Sequence, residues 1–213
     1  MPRRRPISSL IQTNCRFLFP PMKIVFAHGL ASSGKYKMAD SLRILLRPAT
    51  VISPDLPLEP GAAVSLLREI CDKERPDLVV GLSLGGFMAQ KLHGERRLLV
   101  NPDFHPSRLL RTMIGENKYL SLRADGALTF TVTEEVCRSY ELMEQTQFEG
   151  IDSSEAESVT GMFADADEMV HCGEEFAQHY PGRFFSYPGG HLPDYPQLKA
   201  YIVPVLRTLV PSI

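Results

Sequence analysis

The sequence lacks several features that mark whole classes of protein. No stretch approaches the roughly 20 consecutive apolar residues that a membrane-spanning helix needs. The four cysteines lie too far apart for a CxxC motif and give no sign of a disulfide framework, so we expect a reducing, cytoplasmic setting. With 23 basic and 25 acidic residues, the formal net charge is −2. This balance indicates neither a nucleic-acid partner nor an anionic membrane surface.

Metal-binding patterns are missing as well. An HExxH motif is absent, and His171, Cys172 and His179 do not have the spacing of a tetrahedral site. We therefore expect no metal site. The chain has neither internal repeats nor low-complexity blocks, and its 44% of hydrophobic residues is enough to bury a core. A length of 213 residues favours one domain.

The first 21 residues differ from the rest of the chain. They contain four arginines and no acidic residue, and their apolar patch is interrupted by Pro20 and Pro21, which does not suit a secretory signal. We expect residues 1–21 to be a disordered leader or a spurious extension ahead of Met22. An organellar transit peptide is the alternative, because such peptides are rich in arginine and serine and poor in acid.

From Met22 onward, short apolar runs alternate with patterns of helical period. The runs predict strands at Lys23–Ala27, Thr50–Ser53, Leu78–Gly81, Leu98–Val100, Ser158–Phe163 and Arg183–Tyr187. The helical patterns lie at Tyr36–Arg47, Gly61–Glu74, Gly85–His93 and the C-terminus, where we expect Pro204 to kink the helix. Since parallel neighbours need a crossover, this alternation predicts an α/β fold with a doubly wound, mostly parallel sheet.

One region breaks the alternation. Residues 104–154 contain two helical stretches, at 107–114 and 133–147, with no strand between them in the pattern. We expect residues 22–213 to form a single α/β domain in which this region is a small helical, cap-like insertion over one end of the sheet.

A serine motif follows the third predicted strand. Gly81–Gly86 reads G-x-S-x-G and is followed by a helical pattern, which is the context that a nucleophile elbow requires. At this turn the residues two before and two after the serine pack too closely to carry a Cβ, and both are glycine. Ser83 is thus the candidate nucleophile.

An alcohol is a weak nucleophile at neutral pH and needs a base. In this type of fold the acid and then the base follow the serine in sequence. Among six histidines, His191 lies where the last strand should release a loop. Asp165, Asp167 and Glu168 all follow the preceding strand, and their spacing alone does not separate them. One carboxylate suffices to hold the tautomer of the base.

Two backbone N–H groups are expected to form an oxyanion hole. One is that of Leu84, directly after the nucleophile, and the other is that of Leu30, in the loop after the first strand. His28 in that loop is more plausible as a structural brace than as a second base. By position alone, Phe104, Met113 and Phe148 of the insertion are the predicted walls of the substrate pocket.

Taken together, these motifs resemble the α/β-hydrolase superfamily of serine esterases. The resemblance rests on His28-Gly29, the Gly81–Gly86 elbow, the run Asp-Ala-Asp-Glu-Met-Val from Asp165 and Gly190-His191. Asn101-Pro102 and the run Leu109–Gly115 are similar to the small YqiA/YcfP-type bacterial esterases. The resemblance implies Ser83 as nucleophile, Asp167 as acid and His191 as base. It also implies hydrolysis of a small-molecule ester or thioester without a metal or cofactor.

Two other functions are compatible with parts of the sequence. Gly29–Lys35 reads G-x-x-x-x-G-K, which is typical of a phosphate-binding loop, but Tyr36 stands where a serine or threonine would ligate Mg²⁺. The second alternative is a non-catalytic hydrolase fold that serves as a binding module. Against it, all three triad positions are filled, in the expected order.

Overall fold

In the computed structural model, which describes residues 21–210, most strands belong to one parallel sheet of six strands. Its order is β2-β1-β3-β4-β7-β8, and every neighbouring pair is parallel. The strands are β1 (Lys23–Ala27), β2 (Thr50–Ile52), β3 (Leu78–Leu82), β4 (Arg97–Val100), β5 (Gly115–Lys118), β6 (Thr129–Val132), β7 (Val159–Ala164) and β8 (Phe184–Tyr187). The predicted parallel sheet is therefore present, and no strand end differs from its predicted position by more than one residue.

Helices connect the parallel strands. They are α1 (Lys37–Leu45), α2 (Pro60–Glu74), α3 (Leu84–Gln90), α4 (Pro106–Thr112), α5 (Glu134–Gln145), α6 (Ser153–Glu157), α7 (Gly173–His179), α8 (Tyr195–Gln197) and α9 (Val203–Leu209). The longest, α2, begins where the Glu59 carboxylate accepts hydrogen bonds from the backbone N–H groups of Gly61 and Ala62. These bonds satisfy amides that have no partner within the helix.

The sheet is buried on both faces, as its apolar strands require. Alternate residues of β1 point to opposite sides: Val25 and Ala27 pack in one cluster with residues of α2, α3 and α5. Ile24 and Phe26 pack in the other with residues of α1 and the C-terminal helices. Each of these larger apolar side chains contributes about 1.5–3 kcal/mol when it is fully buried. Two packed layers around one sheet hold the strand ends, and thus the loops after them, in fixed positions.

The predicted insertion at about 104–154 is only partly helical. It contains α4 and α5 as expected, but β5 and β6 pair as an antiparallel hairpin between them. The prediction of two helices without a strand was wrong here, because the run Gly115–Lys118 is too polar to be recognised as a strand. Beyond β5, the backbone N–H of Leu120 donates to the Ala31 carbonyl over 2.7 Å, so the hairpin is tied to the loop after β1.

The C-terminal helix departs from regular α-helical geometry just before Pro204. Leu198–Ile202 forms a π-helical turn, closed by a hydrogen bond from the Val203 N–H to the Leu198 carbonyl. The α-helix α9 continues directly from this turn, and Pro204, near its start, has no N–H to donate to the preceding turn.

Apart from Pro21, the segment 1–21 lies outside the described residues, and so does the expectation for it. Between residues 21 and 210, no helix has both the length and the apolar character needed to cross a membrane.

Candidate active site

Ser83 lies on a strained turn between β3 and α3. Its backbone has φ of +54° and ψ of −121°, a conformation that side chains rarely adopt. A Cβ on Gly81 would lie 2.5 Å from the Gly85 carbonyl oxygen, and one on Gly85 would overlap the carbonyl oxygen of Ala27. Both glycines are therefore required by close backbone approach. The turn leaves the Ser83 side chain partly exposed at the carboxyl edge of the sheet.

Two hydrogen bonds connect Ser83 to a histidine and a carboxylate. Ser83 Oγ lies 2.8 Å from His191 Nε2, and Asp167 Oδ2 lies 2.8 Å from His191 Nδ1. His191 and Asp167 are only 8% and 7% exposed, so solvent does not compete for these bonds. Asp167 Oδ1 also accepts hydrogen bonds from the backbone N–H groups of Met169 and Val170. These contacts hold the carboxylate in one orientation beside the imidazole.

Asp165 lies in a turn at residues 165–166 and does not take part in the hydrogen bonds between Asp167, His191 and Ser83. Its exposed side chain accepts a hydrogen bond from the backbone N–H of Gly189 over 3.0 Å. Glu168 is exposed as well. Of the three acids that the sequence left open, the structure brings only Asp167 to His191.

Asn101 holds the acid and base loops together, a role that the sequence analysis did not predict. Its Oδ1 accepts from the Ala164 backbone N–H over 2.8 Å, and its Nδ2 donates to the His191 carbonyl over 2.7 Å and the Tyr187 hydroxyl over 2.9 Å. Asn101 is 1% exposed and has a φ of +44°, which asparagine tolerates better than most residues. The signal in the sequence was a polar residue at the end of a buried strand.

The candidate oxyanion donors lie close to the serine. Among residues 21–210, neither the Leu30 nor the Leu84 backbone N–H has a hydrogen-bond acceptor. A Cβ on Gly29, next to Leu30, would lie 3.9 Å from Ser83 Oγ, which places this loop beside the nucleophile. Both amides are thus available to a ligand.

His28 braces the same loop. Its Nε2 accepts a hydrogen bond from the Leu56 backbone N–H over 3.0 Å, and its Nδ1–H donates to the Gly29 carbonyl over 2.9 Å. Burial lowers the pKa of His28, and this favours the neutral ring that these two bonds need. With both nitrogens engaged, His28 is a structural residue.

The loop Gly29–Lys35 does not present a free anion site at its second glycine. The Gly34 backbone N–H donates to Asp55 Oδ1 over 2.7 Å, and the other oxygen of Asp55 accepts from the Ala124 N–H over 2.6 Å. A carboxylate of the chain itself thus binds the amide that a phosphate would use. Lys35 is exposed to solvent. These contacts disfavour the nucleotide-binding alternative.

Two cavities adjoin the serine turn. One, of about 30 Å³, is lined mainly by apolar residues that include Leu30 and Leu84. The other, of about 420 Å³, contains both Ser83 and His191. Besides Ser83 and His191, its polar lining includes Asp103, His105, Arg108 and His171.

The predicted pocket walls were wrong. Phe104, Met113 and Phe148 line neither cavity. Phe104 is fully buried and packs edge-on against Phe148, whose ring stacks on His179, while Met113 packs against the core. Sequence position identified apolar residues of the insertion but did not separate those of the core from those of a cavity.

No three His, Cys, Asp or Glu side chains in the described part of the chain are grouped so that they could hold a metal ion. Cys71, Cys137 and Cys172 are buried free thiols.

Comparison with known proteins places the chain in a family. The model of an uncharacterised protein family, UPF0227, matches residues 23–180. The chain belongs to this family. The match confirms the resemblance to YqiA/YcfP-type proteins. No curated protein sequence matches this UPF0227 member.

Solved structures share the fold of this UPF0227 protein at low sequence identity. The esterase domain of a Rhodothermus marinus protein is 19% identical, with 88% of this chain and 86% of that chain covered and a TM-score of 0.59. Est1E from Butyrivibrio proteoclasticus, solved with ferulic acid, is 12% identical over 88% and 86%, with a TM-score of 0.58. An extracellular alpha/beta-hydrolase from a Paenibacillus species is 11% identical over 89% and 99%, with a TM-score of 0.53. The predicted α/β-hydrolase fold is confirmed.

Proposed function

We propose that this protein is a serine hydrolase that cleaves carboxylic esters or thioesters through an acyl-enzyme on Ser83. The observation that carries the proposal is the pair of 2.8 Å hydrogen bonds that connects Ser83 Oγ, His191 and Asp167. The strained turn that presents the serine adds support, because it is the geometry in which a hydroxyl is exposed above a sheet of this type. The esterases among the structural neighbours are consistent with hydrolysis of a small molecule.

In the first half of the reaction, Ser83 Oγ attacks the substrate carbonyl carbon while His191 Nε2 takes the hydroxyl proton. The tetrahedral intermediate then collapses, His191 gives that proton to the departing alcohol or thiol, and an ester on Ser83 remains. In the second half, His191 takes a proton from water, which attacks the acyl-enzyme. The proton returns to Ser83 as the carboxylic acid leaves.

Asp167 is the residue that makes His191 a base. Its carboxylate accepts a hydrogen bond from Nδ1–H, which leaves the lone pair of Nε2 directed at Ser83. When the ring becomes charged in the transition state, the carboxylate stabilises it. Because the Met169 and Val170 amides also bind Asp167, the carboxylate is held in this orientation before substrate arrives.

The backbone N–H groups of Leu30 and Leu84 bind the oxyanion. Negative charge develops on the carbonyl oxygen as Ser83 attacks, and donors without another partner stabilise it at no cost of reorganisation. The loss of one such donor typically costs about 10²–10³-fold in kcat.

Labelling with a fluorophosphonate probe tests the proposal, because only an activated serine reacts with it. We expect one probe adduct on the wild-type protein, mapped to the peptide that contains Ser83 by mass spectrometry. The variant Ser83→Ala should not be labelled, whereas Ser186→Ala, which alters an exposed serine of β8, should be labelled like the wild type. Absence of labelling in the folded wild type, or labelling that survives Ser83→Ala, would overturn the proposal.

A further inference from the structure

The larger of the two cavities fixes where the leaving group lies. The histidine that takes the serine proton must give it to the leaving oxygen or sulfur, so that atom has to be close to His191 Nε2. The cavity of about 420 Å³ is lined by both Ser83 and His191, whereas neither residue lines the cavity beside Leu30 and Leu84. The alcohol or thiol part of the substrate therefore occupies the larger cavity.

Two nitrogen-donor side chains that enter this cavity have no hydrogen-bond or ion-pair partner among the described residues. Arg108 comes from α4 and His171 from the segment after β7, and both are exposed. Within residues 21–210, neither side chain forms a hydrogen bond or an ion pair. The neighbouring His105 is different, because its Nε2 lies 2.8 Å from Glu175. Arg108 and His171 are thus free to bind a ligand.

The other residues that line this cavity limit which kinds of leaving group it could bind. Leu109, Met169 and Val170 supply apolar surface on which a short hydrocarbon or aromatic body can pack. One carboxyl group, that of Asp103, also lines the cavity. It accepts a hydrogen bond from the His105 backbone N–H over 3.0 Å, and burial raises its pKa. The positive charges of His105, His191 and Arg108 act on this pKa in the opposite direction. Within residues 21–210, the guanidinium of Arg108 lies near Asp103 but forms no hydrogen bond or ion pair with it.

We infer that the leaving group of the substrate carries an anion, a carboxylate or a phosphate, which Arg108 binds with the help of His171 in the cavity beside Ser83. The inference rests on the proposed function, since it assigns one half of the ester or thioester. Arginine suits the role because its planar fork matches both carboxylate and phosphate oxygens.

Four phenyl acetates that differ only in the substituent at the 3-position, which is anionic, neutral or cationic, test this inference. They are 3-acetoxybenzoate, its neutral methyl ester, 3-acetoxyphenyl phosphate and (3-acetoxyphenyl)trimethylammonium. Because their intrinsic reactivities differ, each variant is compared with the wild type on the same substrate. Arg108→Ala should lower kcat/KM on the two anionic esters by about five- to tenfold, mainly through KM, as expected for a partly exposed charged hydrogen bond. Its effect on the neutral ester should be much smaller.

Arg111→Ala is the matched control. Arg111 lies on the same helix one turn later, but it pairs with Glu134 and Glu141 and does not line the cavity. This variant should treat all four esters like the wild type, and Arg108→Lys should retain part of the preference for anions. A loss on either anionic ester supports the inference, and the larger loss identifies the preferred group.

Other outcomes would overturn the inference. Equal losses on all four esters in Arg108→Ala would mean that the arginine only supports the fold. Another outcome is that the wild type hydrolyses the neutral ester in a Ser83-dependent way while Arg108→Ala leaves kcat/KM on the anionic esters unchanged. In that case the inference fails and the proposed function stands. If no ester is hydrolysed and Ser83 is not labelled, both fail.

Discussion

Two glycine-containing loops leave neighbouring strands at the same edge of the sheet, and they differ in what their amides do. The loop after β1, Gly29–Lys35, matches a phosphate-binding pattern, and the loop after β3, Gly81–Gly86, matches a nucleophile elbow. In both, a glycine is imposed by packing. A Cβ on Gly34 would overlap the Ser53 carbonyl oxygen, as one on Gly85 would overlap that of Ala27.

The difference lies in the hydrogen bonds. In the first loop, Asp55 and the Ser33 hydroxyl already bind the backbone N–H groups of Gly34 and Lys35. At the elbow, the Leu84 N–H has no acceptor within the described residues. The preceding residue, Ser83, forms a hydrogen bond with His191. A glycine pattern therefore indicates only that backbones approach closely. The partners of the individual amides distinguish those that only support the fold, at Gly34 and Lys35, from those that can bind a ligand, at Leu30 and Leu84.

The largest expected effect is the difference in kcat between a variant of the elbow and a variant of the loop after β1. Ser83→Ala should reduce kcat for a phenyl ester by about 10⁶-fold, since the loss of a triad nucleophile removes the covalent route. Lys35→Ala should leave kcat within about twofold, because its exposed side chain has no role in the proposed chemistry. Steady-state kinetics on both purified variants, with circular dichroism to confirm folding, provides the measurement. Residual turnover near the wild-type level in Ser83→Ala would contradict the assignment.

The next effect concerns the two aspartates beside the elbow. Asp167→Asn should keep the fold but leave His191 in the wrong tautomer, with a loss in kcat of up to about 10⁴-fold. Asp165→Asn is the matched control, because Asp165 bonds only the Gly189 amide at the surface and should cost far less. Reversed penalties in the same assay would make Asp165 the acid.

A smaller effect tests whether both glycines are required by packing. Gly34→Ala and Gly85→Ala should each lower the free energy of unfolding by about 1–3 kcal/mol or more, because the new Cβ meets a backbone oxygen that cannot rotate away. Urea denaturation gives the values. Gly61→Ala is the control, since its nearest neighbour is the flexible Glu59 side chain and the change lies within α2. An unchanged midpoint for Gly34→Ala would show that the first loop is not packed as described.

The smallest expected effect is that of added nucleotide on the melting temperature. Mg-ATP should not raise the melting temperature of the wild type, because Asp55 binds the Gly34 amide that a phosphate would need. The same titration on Lys35→Ala should be indistinguishable from it. A saturable increase that disappears in this variant would restore the nucleotide-binding alternative.

Local pattern was sufficient for the parts of the molecule that local forces determine. The strand–turn–helix context of Ser83 and the apolar runs of the sheet were predicted, because buried strands and close glycine contacts leave a direct trace in the sequence. The hairpin of β5 and β6 was missed. Its first strand, Gly115–Lys118, has partly and fully exposed residues in alternation and owes its position to its partner and to contacts with the loop after β1.

Long-range contacts explain the remaining differences. Strand periodicity put Asp165 and Asp167 on the same side, whereas the turn at residues 165–166 sends only Asp167 toward His191. Asn101 contacts residues that are 63 and 90 positions away, which no local pattern reveals. The lining of the larger cavity likewise comes from four separate segments, so Arg108 and His171 could not be associated before the fold was known.

The position of β8 at the edge of the sheet has a consequence for biosynthesis. This strand is the last of the sheet to be translated, and it pairs only with β7. His191 follows it, and Asn101 fixes the His191 backbone only when that segment is in place. A nascent chain can therefore complete the elbow around Ser83 while it still lacks the proposed base. Under the proposed mechanism, its serine stays an ordinary alcohol until the segment that contains β8 and His191 has left the ribosome and docked.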